Sequence, residues 1–144
     1  ILAWLIANGI DIGRLPMFIA DRRSLTVSQL RVAARRMLAT GGLGWLVVDY
    51  AQAMPHEVSR KGANRTEQLA DNARRLQALA GELNIPIILL SQVKRGDGEP
   101  QLDWLRECGE MEEAAHIVGI LHRKDAKSSG TTKFMLAKVR NGPT

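Results

Sequence analysis

Two short apolar runs with a helix between them constrain this chain more than any other feature. Trp45-Leu46-Val47-Val48 ends abruptly in Asp49, and Ile87-Ile88-Leu89-Leu90 ends in Ser91-Gln92. A continuous run of this length suits a strand buried on both faces, as in a parallel sheet flanked by helices. Between the runs, Asn64-Arg65-Thr66-Glu67 has the form of a capping box. It opens a helix to about Leu83, with Leu69, Ala73, Leu76, Ala80 and Leu83 along one face. Strand, helix and strand make a right-handed crossover, so the two strands run parallel and their carboxyl ends share an edge. Asp49 and Gln92 then face one crevice, of the kind in which open α/β sheets bind ligands.

The remainder of the chain fits around that unit. Residues 1–9 read as helix, and Met17-Phe18-Ile19-Ala20 as a short strand ending at Asp21. Thr26-Val27-Ser28-Gln29 forms a second capping box, followed by a helix to about Ala39 that Gly41-Gly42 terminates. Residues 55–64, rich in Pro, Ser, Arg, Lys, Gly and Asn, read as an exposed loop. Residues 102–114 read as a loop and short helix, His116 to Leu121 as a strand, Ser128-Ser129-Gly130 as a hairpin-like turn, and 132–140 as a last strand. Alternating strands and helices without repeats predict one α/β domain with a mostly parallel sheet.

Hydrophobic residues make up 45% of the 144, which places the chain among globular proteins rather than disordered ones. A formal net charge of +5 favours a polyanionic partner. The single cysteine, Cys108, excludes an internal disulfide and fits a reducing compartment such as the cytoplasm. His56, His116 and His122 have no zinc-ligand spacing with Cys108. No apolar run is long enough to span a bilayer.

Asp49 offers an anionic oxygen to a hydrated metal, as the acid at a strand end does in nucleotide-hydrolysing enzymes. Gln92 offers a neutral amide that can meet a terminal phosphate without competing for that metal. Lys138 and Arg140, two apart on a strand, project to the same side. The competing reading makes Asp49 a loop cap, Gln92 a solvated strand end, and the two cations guards against edge-to-edge aggregation.

Four segments decide between these readings by resemblance. Asp49-Tyr50-Ala51-Gln52-Ala53-Met54 resembles the Walker B segment of replicative hexameric DNA helicases of the DnaB family. Leu79-Ala80-Gly81-Glu82-Leu83-Asn84-Ile85-Pro86, leading into Leu90-Ser91-Gln92-Val93-Lys94-Arg95, resembles that family's sensor strand. Leu105-Arg106-Glu107-Cys108-Gly109 resembles its Leu-Arg-Glu-Ser-Gly loop, and Lys138-Val139-Arg140-Asn141-Gly142-Pro143-Thr144 its terminal segment. All four occur in family order and at family spacing.

The resemblance implies a RecA-like motor domain in a hexameric ring, using ATP and Mg2+ and translocating on single-stranded DNA, with primase and a helicase loader as partners. It implies that Asp49 is the magnesium-associated carboxylate and Gln92 the γ-phosphate sensor. Lys138 and Arg140 match the arginine finger and its partner, which reach across the subunit interface. Arg106, Glu107 and Gly109 match the channel loop that grips DNA through its phosphates, a task that needs no sequence readout. Arg60, Lys61 and Arg65 lie in or beside a second candidate channel loop.

The chain also departs from the family. Trp104 and His116 stand where the family has Asp, and Ala51-Gln52-Ala53 replaces its Leu-x-Leu pattern. These changes suggest a divergent member of phage or mobile-element origin. No Gly-x-x-x-x-Gly-Lys-Ser/Thr loop occurs. The chain therefore reads as a fragment of a motor domain, truncated in its N-terminal part, which would also lack the catalytic glutamate. The rival reading is a non-catalytic RecA-like module that keeps only DNA binding or subunit assembly. The 144-residue chain alone is expected not to hydrolyse ATP; phosphate release above that of an Asp49→Ala control would contradict this.

Overall fold

The computed structural model describes residues 7–9, 11–20, 24–57, 64–92, 109–123 and 131–142. Helix α1 spans Val27–Thr40 and strand β1 spans Leu46–Val48. Helix α2 spans Arg65–Leu83, strand β2 Ile87–Leu89, and helix α3 Gly109–Ala114. Strands β3 and β4 span Ile117–His122 and Lys133–Val139. The strands β1 and β2 pair in parallel with Val48 opposite Leu89, whereas β3 and β4 pair antiparallel. The α/β crossover is therefore present, and the described strands form two separate pairs, one of each sense.

Both capping boxes form. The Thr26 hydroxyl accepts from the Gln29 N–H while the Gln29 side chain accepts from the Thr26 N–H, and Asn64 and Glu67 make the same exchange for α2. These reciprocal bonds satisfy amide donors that a helix start otherwise leaves unpaired. At the far end of α1, the Gly41 and Gly42 amides both donate to the Met37 carbonyl, and Gly42 takes the left-handed conformation, φ +85°. Helix α2 closes on Asn84, also left-handed at φ 52°, and Pro86 leads the chain into β2.

Helix α2 lies at the centre of the core. Its Leu76 and Leu79 pack with Val27 of α1 and with Val48, Ile87 and Leu89 of the sheet. Its Leu69 and Ala73 pack with Ala51 and with Met111 and Ala114 of α3. Leu79 is fully buried although it lies outside the expected stripe, and Ala70 and Asn72 are buried as well. A helix flanked on both sides by other helices buries more than one stripe.

Two expectations fail. Met17–Ala20 is not a strand: all four residues are exposed and none joins a ladder. A strand exists only as one member of a hydrogen-bonded pair, and no described segment pairs with this one. The apolar runs are also not buried on both faces. Leu46, Val48, Ile87 and Leu89 are half-buried on the side that carries α2, but Trp45, Val47, Ile88 and Leu90 are 43–59% exposed. Among the described residues only one side of this sheet is covered. Residues 1–6, Asp21 and the turn at 128–130 lie outside the described residues. No described helix is long and apolar enough to cross a membrane.

A polar network ties the start of α1 to α2. The Ser28 N–H and hydroxyl donate to the two Glu57 carboxylate oxygens at 2.6 and 2.8 Å. Arg75 reaches Glu57 at 2.6 Å and Asp71 at 2.8 Å, and His56 Nε2 lies 2.9 Å from Asp71. Ser28 chiefly, through its backbone and then its hydroxyl, holds the Glu57 carboxyl down at about 2. Thr26 and Arg75 add to this effect, against burial, which raises it. A carboxylate bonded to free amides at a helix start is stabilised in its charged form.

A group with a depressed folded pKa stabilises the fold above its ordinary value of 4.5, and that contribution disappears as the pH falls toward 2. Glu57→Gln should therefore lower stability by about 1–2 kcal/mol at neutral pH, hydrogen bonds to a charge being worth ~1.5–3 kcal/mol before solvent screening. It should also flatten the acid limb between 4.5 and about 2. Urea denaturation of both chains across that range measures the difference, and parallel acid limbs would refute it.

Candidate functional site

The parallel register fixes where the first two candidate residues lie. Val48 is opposite Leu89, so Asp49 and Gln92 both follow the carboxyl ends of their strands on one edge of the β1–β2 sheet. Both are exposed. No other described residue bonds the Asp49 carboxylate or the Gln92 carboxamide. The Asp49–Tyr50 peptide is cis, and the chain then enters a 3-10 turn over Ala51–Ala53.

Beyond the strand ends, pairing continues irregularly. The Leu90 N–H donates to the Val48 carbonyl at 3.0 Å, and the Ala51 N–H donates to the Leu90 carbonyl at 2.8 Å. Farther out the contact passes through a side chain. Gln52 Nε2 donates to the Ser91 hydroxyl at 3.0 Å and to the Gln92 carbonyl at 3.1 Å. The Gln92 N–H donates back to Gln52 Oε1 at 3.3 Å. The Gln52 carbonyl in turn accepts from Arg65 Nη2 at 2.8 Å. Sequence reasoning leaves Gln52 out of the site. The available signal is its position three residues after Asp49, on a turn at the same sheet edge.

The second pair of candidates lies at the end of β4. The β3–β4 register slips between Val118 and Gly119, leaving Ala137 as the extra residue of a bulge beside Lys138. Lys138 is half-buried and its Nζ donates to the Glu112 carbonyl. Arg140 is exposed and its Nη2 donates to the Glu113 carbonyl at 2.7 Å. The Arg140 N–H also donates to the His116 carbonyl at 2.8 Å. Both cations therefore cap the carboxyl-terminal carbonyls of α3, where a positive charge is favourable. No described carboxylate ion-pairs with either cation.

Of the third group, Gly109 opens α3, while Arg106 and Glu107 lie outside the described residues, as do Trp104, Cys108, Arg60 and Lys61. Arg65, a candidate for the second loop, begins α2 and holds Gln52. His116 is exposed, with its Nε2 3.3 Å from Gln77 Nε2. Among the described residues no cluster of three His, Cys, Asp or Glu could cage a metal. Asp49 alone can offer one carboxylate to a hydrated magnesium ion, which normally keeps several waters and takes few protein ligands.

The described helices and the parallel β1–β2 pair with its helix-packed face fit the α/β fold of RecA-like ATPase domains. One solved ATPase domain of this kind superposes with a TM-score of 0.80 at 29% identity, covering 96% of this chain and 52% of that one. A DnaB-like replicative helicase, solved in a study of its interactions with primase, gives 0.80 at 28% identity, covering 96% and 35%. The model of the DnaB-like helicase C-terminal domain matches residues 5–144, and the chain belongs to that family. It is 38% identical to the replicative DNA helicase DnaB of Mycobacterium intracellulare over 93% of this chain. The corresponding protein of Geobacillus stearothermophilus is 36% identical over 88%. The chain spans 25% and 30% of those relatives' lengths.

Proposed function

We propose that this chain is part of the motor domain of a ring-shaped, ATP-dependent replicative DNA helicase, acting in the cytoplasm on single-stranded DNA. Membership of the family supports the class. The observation that carries the reading is the shared edge at which the parallel β1–β2 pair leaves Asp49 and Gln92 exposed.

In this reading nucleotide lies between subunits. Asp49 orients hydrated Mg2+, and Gln92 meets the terminal phosphate of ATP from the same side. Lys138 and Arg140 reach the phosphates of the adjoining copy, where cations stabilise charge on the transferring phosphoryl group. Among the described residues each cation is bonded to a carbonyl and to no carboxylate, which is consistent with this assignment, because a carbonyl does not neutralise a charge. Arg106, Glu107 and Gly109 would contact DNA phosphates in the central channel. The hexameric ring, primase and a helicase loader are the partners the reading implies.

Trans action has a direct test in the full-length protein. Arg140→Ala and Asp49→Ala should each reduce ATP turnover about 10³-fold, the lower end of what an arginine finger contributes. Mixed rings of the two variants should regain measurable turnover, because some interfaces then join an intact Asp49 to an intact Arg140. No recovery in rings shown to have mixed would refute the assignment.

The DNA contact has a separate test. Arg106→Ala should weaken single-stranded DNA binding evenly across sequences and lower the salt slope by about 1. Fluorescence anisotropy titrations at several salt concentrations measure both quantities, and a sequence-selective loss would count against a phosphate contact.

A further inference from the structure

We infer that Gln52 is a positioning residue that sets the reach of Gln92 toward bound nucleotide. The inference rests on the proposed role of Gln92 and adds to it a second amide that touches no nucleotide.

The strands β1 and β2 stop at Val48 and Leu89, the last backbone bond between the two segments runs from the Ala51 N–H to the Leu90 carbonyl, and the chain after it follows the 3-10 turn. Gln92 is three residues beyond the last ladder position, so the strand backbone alone does not hold it. The Gln52 carboxamide takes the place of the missing strand neighbour. It accepts from the Gln92 N–H at 3.3 Å and donates to the Gln92 carbonyl at 3.1 Å, which fixes both backbone groups of one residue. Its second contact, to the Ser91 hydroxyl at 3.0 Å, holds the residue before. Arg65 holds the Gln52 main chain at 2.8 Å, so the clamp itself is tied to the first residue of α2.

The Gln52 amide is thus consumed by protein contacts, and the exposed Gln92 side chain has none among the described residues. One glutamine holds and the other is held with its head group free. A reacting group displaced by about 1 Å loses roughly 10²-fold in rate, so the clamp matters in proportion to what Gln92 contributes.

The test uses the full-length protein and four variants: Gln92→Ala, Gln52→Ala, Gln52→Glu and Gln52→Ala with Gln92→Ala. Gln52→Glu keeps the acceptor for the Gln92 N–H and loses the donor to the Gln92 carbonyl. The expected result is a fall in kcat of about tenfold or more for Gln52→Ala, and a smaller fall for Gln52→Glu. Affinity for ADP, which lacks the γ-phosphate that Gln92 would meet, should stay within about twofold of wild type. The double variant should lose no more than Gln92→Ala alone, since residues acting through one contact are not additive.

If Gln92→Ala itself leaves kcat unchanged, the proposed role of Gln92 fails. If Gln92→Ala lowers kcat while Gln52→Ala and Gln52→Glu do not, the clamp fails and the role of Gln92 stands. Additive losses, or a matching loss of ADP affinity, would make Gln52 a structural residue and overturn the inference. Should Gln52→Ala fold poorly by thermal denaturation, Gln52→Glu carries the same comparison.

Discussion

The burial of α2 against one face of the β1–β2 pair is the constraint from which the rest of the structure follows. Leu76 and Leu79 occupy the space between α1 and the strands, and Leu69 and Ala73 the space between Ala51 and α3. With α2 in place, the crossover has one favourable hand, the strands must run parallel, and Val48 lies opposite Leu89. A slip of one residue in that register would exchange Val48 for Val47 on the packed face. It would also move Asp49 relative to Gln92 by a full residue. The hydrophobic contacts of α2 therefore set the polar geometry at the sheet edge, though no residue of α2's packed face is a candidate for chemistry.

How much of this was legible in the sequence differs by residue, for physical reasons. Thr26 with Gln29 and Asn64 with Glu67 are local, three residues apart, and both boxes close as read. The Asp71–Arg75 pair is local as well and forms. The sheet runs were legible as strands, but their burial was not. An apolar residue at every position carries no record of which face a helix will cover, and only the face bearing α2 is covered among the described residues. Met17–Ala20 fails for the complementary reason, since β-propensity describes a segment whereas a strand requires a neighbour.

The site divides along the same line. The crossover brought Asp49 and Gln92 to one edge by topology alone, and that much could be derived from pattern. Gln52 could not be placed that way. Its bonds to Ser91 and Gln92 span about 40 residues of sequence and depend on the 3-10 turn that follows Asp49. The acceptors of Lys138 and Arg140 are the main-chain carbonyls of Glu112 and Glu113, and a backbone acceptor leaves no mark on residue identity.

Those two carbonyl contacts bear on how a cation can be both held and available. Helix α3 has six residues, too few to persist without tertiary support. Met111 and Ala114 anchor it in the core, and the two cations bond carbonyls of its last turn, Glu113 and Glu112, the latter shared with the Ala115 N–H. The gain is mutual, because the helix terminus orients the side chains and the side chains complete the helix. A carboxylate in the same place would orient them more firmly but would also neutralise them. A carbonyl dipole is the weaker partner, and a guanidinium with five donors loses only one to it. Arg140, exposed and with no carboxylate partner among the described residues, thus has a defined direction while most of its hydrogen-bonding capacity is unused among those residues.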